Sequence, residues 1–337
     1  MKISAYVSNE AKSPLQAFSY EAKDLGANDV EIEISHCGIC YSDIHLIDND
    51  WNRSQYPFVP GHEIVGKITA VGAAVSEFMI GSRVGVGWQR SACMVCDYCR
   101  QGDENLCAAQ TAICVGHHGG FADRIRTDSR FVFALPAGLA SAHAAPLLCG
   151  GATVFAPLHR FEVNARSKVG VIGIGGLGHM ALLFLKAYGC EVTALSSSES
   201  KRDEAMKMGA QHFVSSTSPR EIMKQASRFD LLLSTVHAKM DWVGLIQTLK
   251  PNGVFCLVGA PPGFIQIPAA QLISSQRAVC GSDIANRKTI IEMLAFANRH
   301  QIQPQIETAP MADVNFGIDR LRANQVRYRM VLENPVN

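Results

Sequence analysis

Residues 167–197 read SKVGVIGIGGLGHMALLFLKAYGCEVTALSS. An apolar run, VGVI, leads into glycines spaced Gly173-x-Gly175-x-x-Gly178; an amphipathic stretch follows, and a second apolar run, EVTAL, closes the segment. Strand, glycine turn, helix and strand in that order form the first unit of a parallel sheet, because parallel neighbours are joined by a crossover that a helix supplies. The spacing alone is weak evidence, and a purely structural glycine turn is the bland alternative. Its setting between a buried strand and a helix is that of a dinucleotide site. There Gly173 permits the tight turn, Gly175 lets the backbone approach a pyrophosphate and Gly178 lets helix and strand pack closely, with the phosphates at the helix N-terminus. Gly176 and Leu177 complete the turn.

Outward from this unit, DLLLST, GVFCLVG and AVCGSD follow at intervals filled by helical patterns, which implies a parallel sheet covered on both faces. The first 147 or so residues have another rhythm. VEIEISHCGIC, HEIVGKITAVG, SRVGVGW and RFVFALP alternate at or near period two between turn residues, as short β segments do. After about residue 287 a helix, KTIIEMLAFANRH, a further helical stretch and a closing strand, RYRMVLE, are expected.

Composition narrows the function classes. With 337 residues, 47% apolar and 18% charged, the chain reads as a globular protein with room for one large or two medium domains. The net charge is +1 and no basic run occurs, so no footprint for nucleic acid or an anionic membrane is visible. The opening MKISAYVSNEAKSPLQ lacks a basic stretch followed by an apolar core, and no later apolar run reaches the length of a membrane span. The expectation is a cytoplasmic enzyme-sized protein.

The end of the second strand decides which nucleotide is expected. About twenty residues after the glycines an NAD enzyme presents Asp or Glu to the adenosine ribose. Here the strand runs into Ser196, Ser197 and Ser198, then Lys201 and Arg202, while Glu191 stands at the strand's other end. Hydroxyls with nearby cations suit a 2'-phosphate, which favours NADP(H). In the bland reading Ser198 only caps the helix starting near Glu199, and the two cations face solvent.

Eleven cysteines in a reducing compartment point to metal. Cys93, Cys96, Cys99 and Cys107 are spaced C-x2-C-x2-C-x7-C in a hydrophilic loop, a pattern able to wrap four thiolates around one tetrahedral Zn(II). Four sulfur ligands leave no place for substrate, so such a site braces structure. A redox C-x-x-C pair and an iron–sulfur ligand set compete with this reading; the latter lacks its usual C-x3-C-P ending. A second set of metal-type residues is spread over HCGICYSDIH, VPGHEIVG and PLLCGG: Cys40, Ser42, Asp43, His45, His62, Glu63 and Cys149.

CGICYSD, PGHEIVG, GVIGIGGLGH and RYRMVL, with the four-cysteine lobe between the second and third, resemble the zinc-dependent medium-chain alcohol dehydrogenases. The nearest resemblance is to the branch holding cinnamyl alcohol dehydrogenases and bacterial NADPH-dependent aldehyde reductases. It covers the whole chain and implies an α/β protein. A GroES-like β-rich catalytic domain would comprise residues 1–149 and 287–337, and a doubly wound Rossmann domain residues 150–286. It implies two Zn(II) per chain: a catalytic one on Cys40, His62 and Cys149, with Glu63 able to enter the coordination shell, and a structural one on Cys93, Cys96, Cys99 and Cys107. It further implies hydride transfer between NADP(H) and an aldehyde/primary alcohol pair. Ser42 would pass a proton to the substrate oxygen, through the nicotinamide ribose hydroxyl and outward to His45, while Asp43 orients the imidazole of His62. Tyr41 stands where the branch usually has His near the pyrophosphate. Trp51, Trp88 and Phe58 are candidates for an apolar wall accepting aryl or medium alkyl aldehydes. Members are often homodimers joined through the cofactor-domain sheet.

Three alternatives stand beside this reading. An NAD-dependent polyol or secondary-alcohol dehydrogenase would share the catalytic zinc, a zinc-containing interaction module would need only the lobe, and an inactive paralogue would normally lose ligands.

Overall fold

The computed structural model describes residues 1–335. It divides into two compact units, one built from Met1–Ala152 together with the C-terminal segment from Ala285, the other from Thr153–Ile284.

The second unit is a six-stranded sheet with every pairing parallel. Across the sheet its strands run His212–Ser215, Glu191–Ser196, Lys168–Ile172, Phe229–Ser234, Leu249–Leu257 and Ala278–Gly281. That is the 3-2-1-4-5-6 order of a doubly wound nucleotide-binding fold, whose ligands sit outside the carboxyl ends of the strands where the order reverses. The glycine turn lies at that point, between Lys168–Ile172 and the helix Gly178–Tyr188. Gly173 has φ of +88°, in the left-handed region that favours glycine. A Cβ on Gly178 would come within 1.8 Å of the Gly173 carbonyl oxygen, so the helix can start this close to the strand only without a side chain there. Thr235 locks the turn, its hydroxyl donating to the carbonyls of Ile172 at 3.0 Å and Gly173 at 2.8 Å.

In the first unit the central strand is Asp29–Ile39, paired with Glu63–Val71, Arg124–Asp128 and Arg329–Glu333. Its inward residues, including Ile32, Ile34 and Ile39, are buried in one apolar core with Ile64, Val84, Val86 and Phe121. The C-terminal return therefore supplies a strand to the middle of a sheet begun by the N-terminal part. One strand differs from expectation. Ile306–Pro310, where the pattern predicts only helix, pairs parallel to Arg329–Glu333 at the sheet edge. Of its residues only Ala309 is buried, so no alternation of apolar residues announces it. The helices expected on either side are present as Arg287–Arg299 and Val314–Arg322.

Candidate active site

Three neighbouring strands bring the second set of metal-type residues together. Gly38, near the end of Asp29–Ile39, faces Glu63 on one side and Val331 on the other, so Cys40, His62, Glu63 and Arg329 converge at one end of the sheet. Cys40 caps the helix Tyr41–Asp48, His62 immediately precedes Glu63–Val71, and Cys149 arrives on a π-helical turn, Leu147–Gly151. Such widened turns recur at functional sites because they re-aim one side chain out of a helical repeat. The ligand atoms of Cys40, His62, Glu63 and Cys149 lie within 4.8 Å of one another, and all four residues are buried. The two Sγ atoms are 4.0 Å apart, and His62 Nε2 is 3.3 Å from Cys149 Sγ.

Asp43 organises this cluster from behind. It is fully buried, and its Oδ1 accepts from His62 Nδ1 at 2.8 Å and from the Gly61 amide at 3.0 Å, while Oδ2 accepts from the Cys40 amide at 2.9 Å. A carboxylate at Nδ1 fixes the orientation of the imidazole, so Nε2 points at the sulfurs. Burial opposes a charge on the ring, yet the Asp43 carboxylate and its hydrogen bond hold the His62 pKa well above the usual histidine range. The hydrogen bond with Cys149 pulls the Cys40 thiol well below its ordinary value, helped by His62 and Arg329, and the same contact pushes Cys149 up.

Glu63 pairs through Oε1 with Arg329, while its Oε2 is buried with no hydrogen-bond partner. Burial raises this carboxyl to about 7 against the pull of Arg329. Two sulfurs, an oriented imidazole nitrogen and an orphaned carboxylate oxygen make a donor set that fits Zn(II). Sequence reasoning gave Arg329 no role. Its signal was a cation at the start of an apolar strand, RMVLE, where it is only 5% exposed.

Around the cluster, Ser42 is half-buried two residues after Cys40. The His45 ring donates from Nδ1 to Asp50 at 2.7 Å and lies 5.0 Å from the Trp51 ring and 5.2 Å from that of Tyr41. Trp88 meets the His62 ring edge-on at 5.0 Å and Trp51 at 6.1 Å, so the two tryptophans form one aromatic wall. Phe58 does not join it: it is 2% exposed inside the hydrophobic core.

The four-cysteine lobe is a separate cluster, again with its ligand atoms within 4.8 Å of one another. Cys93 Sγ is 3.6 Å from Cys107 and 3.9 Å from Cys99, and it accepts the Cys96 amide at 3.3 Å. Amides of Val95 and Cys96 bring the Cys93 thiol down to about 6, whereas desolvation pushes Cys99 up to about 12. Amide donors around converging sulfurs are what a thiolate site for a structural cation needs. The lobe is tied down by Glu104, whose carboxylate takes Arg287 at 2.5 Å, and by Asp103, which accepts from Asn286 at 3.1 Å.

At the nucleotide turn, a Cβ on Gly175 would meet nothing within 4 Å, so the turn offers an open cradle where a phosphate can approach the backbone. At the strand end the three serines differ. Ser196 is buried with its hydroxyl turned onto the Ser198 backbone, at 3.2 Å from the amide. Ser198 pairs with the Ser200 hydroxyl at 2.8 Å and does not cap the following turn. Ser197 is exposed. Lys201 Nζ donates to the Ile174 carbonyl inside the glycine turn at 2.7 Å, and Arg202 is held by Glu199 at 2.5 Å and over the Phe213 ring at 4.5 Å. The Arg202 guanidinium is thus engaged on the surface.

Two domain families match the chain: alcohol dehydrogenase GroES-like domain over residues 26–137 and zinc-binding dehydrogenase over residues 176–299. Aldehyde reductase AdhA from Synechocystis is 44% identical over 99% of this chain and 100% of its own. A cinnamyl alcohol dehydrogenase from Sorghum bicolor superposes with TM-score 0.95 at 37% identity, covering 99% of this chain and 98% of that one. The structure of a CAD from Helicobacter pylori complexed with NADP(H) superposes with TM-score 0.91 at 31% identity, over 99% and 98% of the two chains. The chain belongs to the zinc-dependent medium-chain alcohol dehydrogenases, in the branch of the cinnamyl alcohol dehydrogenases and bacterial aldehyde reductases.

Proposed function

We propose that this protein is a zinc-dependent oxidoreductase that moves hydride between NADP(H) and an aldehyde/primary alcohol pair, working as an aldehyde reductase. The observation that carries the reading is the buried set Cys40, His62 and Cys149, with Asp43 fixing the imidazole from behind and Ser42 two residues from the first ligand. Those three side chains would hold the catalytic zinc with Glu63 in reserve, and Cys93, Cys96, Cys99 and Cys107 the structural one. When bound, the catalytic zinc supplies a Lewis acid for the carbonyl and the nucleotide supplies the hydride.

The chain's own residues do the rest. Asp43 holds the His62 ring by Nδ1 and so keeps Nε2 aimed at the cluster. Arg329 restrains Glu63 through one oxygen and leaves the other available. Ser42 holds at Oγ the proton that the reduced product requires, and His45, fixed by Asp50, stands nearer solvent as the outer proton carrier. Trp51 and Trp88 exclude water and favour aryl or medium alkyl aldehydes. Tyr41, 39% exposed, lies at the same end as His45 and offers a phenol to the nucleotide. Ser197 and Lys201 select the 2'-phosphate, with Ser196 and Ser198 shaping the loop.

A homodimer is the assembly proposed, since Phe264 and Ile273, 91% and 76% exposed, precede the edge strand Ala278–Gly281. Light scattering returning the 36.5 kDa of one chain ends that proposal. Among the described residues, no helix is long and apolar enough to cross a membrane.

Metal analysis of active protein is expected to give two zinc ions per chain. Cys99→Ser should lose one and lower the melting temperature, while Cys40→Ser should lose turnover and keep the lobe's metal. One zinc or none in active wild type removes this assignment. Ser42→Ala should cut aldehyde reduction, followed as NADPH absorbance, by roughly 10²-fold with little change in NADPH affinity. Unchanged turnover would assign the proton to another group.

Cofactor preference is expected to favour NADPH over NADH by about 10²-fold in kcat/KM, on the scale of one or two charge-assisted hydrogen bonds. Ser197→Asp should narrow that ratio by repelling the phosphate. Equal use of both cofactors by the wild type would return the NAD-dependent polyol dehydrogenase reading.

A further inference from the structure

Five cysteines belong to neither the four-cysteine lobe nor the Cys40–His62–Glu63–Cys149 set: Cys37, Cys114, which lies beside Asp43 and His62, Cys190, Cys256 and Cys280. Cys37 and Cys114 are fully buried, and burial holds both thiols well above their ordinary value. Burial pushes Cys190 up to about 11. These three are inert packing residues by the usual criteria of thiolate character and access. The remaining two form a pair of another kind.

Cys256 and Cys280 are directly opposite each other on neighbouring parallel strands, Leu249–Leu257 and Ala278–Gly281, and both are free thiols. Partners in register on adjacent strands project to the same face, and strands lie about 4.8 Å apart. That spacing falls inside the range of about 4.4–6.8 Å between Cα atoms that a disulfide can bridge. No residue separates the two positions across the ladder. Cys256 is buried, whereas Cys280, on the sheet's edge strand, is partly exposed. Its side chain stands on the sheet face, perpendicular to the direction in which a further strand would pair, so edge pairing leaves the sulfur approachable. The hydrogen bond from Cys256 and the nearby charge of Arg160 bring the Cys280 thiol down to about 7 against desolvation, while Cys256 is raised. The guanidinium is anchored there, donating to the Gly281 carbonyl at 3.2 Å. An accessible low-pKa thiol, a neighbouring cation and a resolving thiol in register are the parts of a redox-active pair.

We propose that Cys256 and Cys280 are a reversible oxidation site whose substrate is a hydroperoxide and whose product is a cross-strand disulfide. Cys280, as thiolate, attacks one peroxide oxygen; the S–O bond forms, the O–O bond breaks and, with hydrogen peroxide, the leaving oxygen departs as water after taking a proton. The sulfur of Cys256 then attacks Cys280 sulfur, the S–S bond forms, the S–O bond breaks and hydroxide leaves with the Cys256 proton as a second water. Two thiols and one hydrogen peroxide thus give one disulfide and two waters. A bond between directly opposed strand positions departs from relaxed disulfide geometry, which makes it readily reduced by a dithiol.

The test uses the zinc-loaded protein, a few-fold excess of hydrogen peroxide, alkylation of remaining thiols and tryptic mass spectrometry. Lys250 precedes Pro251, so Cys256 and Cys280 fall in separate peptides, 240–277 and 278–287, each holding no other cysteine. The expected product is these two peptides linked, two hydrogens lighter than their sum, independent of protein concentration and separated again by dithiothreitol. Cys280→Ser should abolish the link at unchanged aldehyde reductase activity. Cys256→Ala should leave Cys280 as a sulfenic acid that dimedone traps. The proposal is overturned if both thiols are alkylated while cysteines of the zinc lobe oxidise, or if wild-type Cys280 proceeds to sulfinic acid unlinked.

Discussion

The contact between Asp43 and His62 is the constraint on which the first unit's site depends. One buried carboxylate takes N–H groups from the imidazole, from Gly61 and from Cys40, and thereby ties the start of a helix, a turn and a ligand ring to a single point. Its charge is tolerable only because three donors meet it. Removing the carboxylate would cost more than a hydrogen bond: breaking a buried pair of this kind costs about 3–5 kcal/mol and leaves the imidazole free to present the wrong nitrogen. Stability and chemistry are therefore the same interaction viewed from two sides. The neighbouring Glu63–Arg329 pair differs, because one carboxylate oxygen has no partner and the buried charge is only half compensated.

That half-compensated pair also explains why the chain must return. Arg329 lies far along the sequence from Glu63 but on the strand next to Asp29–Ile39, and Arg287, from the same C-terminal part, holds Glu104 in the cysteine lobe. Arg287 additionally lies over the Phe131 ring at 5.4 Å, and its neighbour Asn286 caps the helix by accepting from the Thr289 amide at 2.8 Å. One helix start thus secures the lobe while the closing strand, Arg329–Glu333, secures the buried carboxylate. The nucleotide-binding unit is an insertion between two halves that complete each other.

What was legible in the sequence was local. The glycine spacing, the C-x2-C-x2-C-x7-C lobe and the period-two segments each place their residues within a turn or a strand of one another, where spacing dictates geometry. Arg329, Asp50 and Thr235 were not legible as site residues, because each acts through a partner set by tertiary packing: Glu63, the ring of His45 and the Gly173 carbonyl. Ile306–Pro310 was missed because an edge strand with one buried residue carries no periodic signal. Phe58 illustrates the converse. It is close to Trp51 in sequence, but its backbone bridges Ser8 and its ring lies in the core.

The serine-rich strand end shows why composition and position are different evidence. Three consecutive hydroxyls read alike in sequence, yet the strand ends at Ser196, buried like the residues before it, and Ser197 begins the exposed bend that follows. Ser196 then spends its hydroxyl on the loop backbone, which fixes the turn that follows. Lys201 is drawn back to the Ile174 carbonyl by the same logic that brings a phosphate there. The glycine turn gathers partial charges that want a counter-charge, carbonyls a cation and amides an anion. A lysine stem with four rotatable bonds can leave that carbonyl for a stronger acceptor at small cost, whereas Arg202, fixed by Glu199 and Phe213, would have to give up two contacts. On the proposed function, selectivity at this strand end would therefore belong to the one exposed hydroxyl, Ser197, and to Lys201, the cation beside the glycine turn.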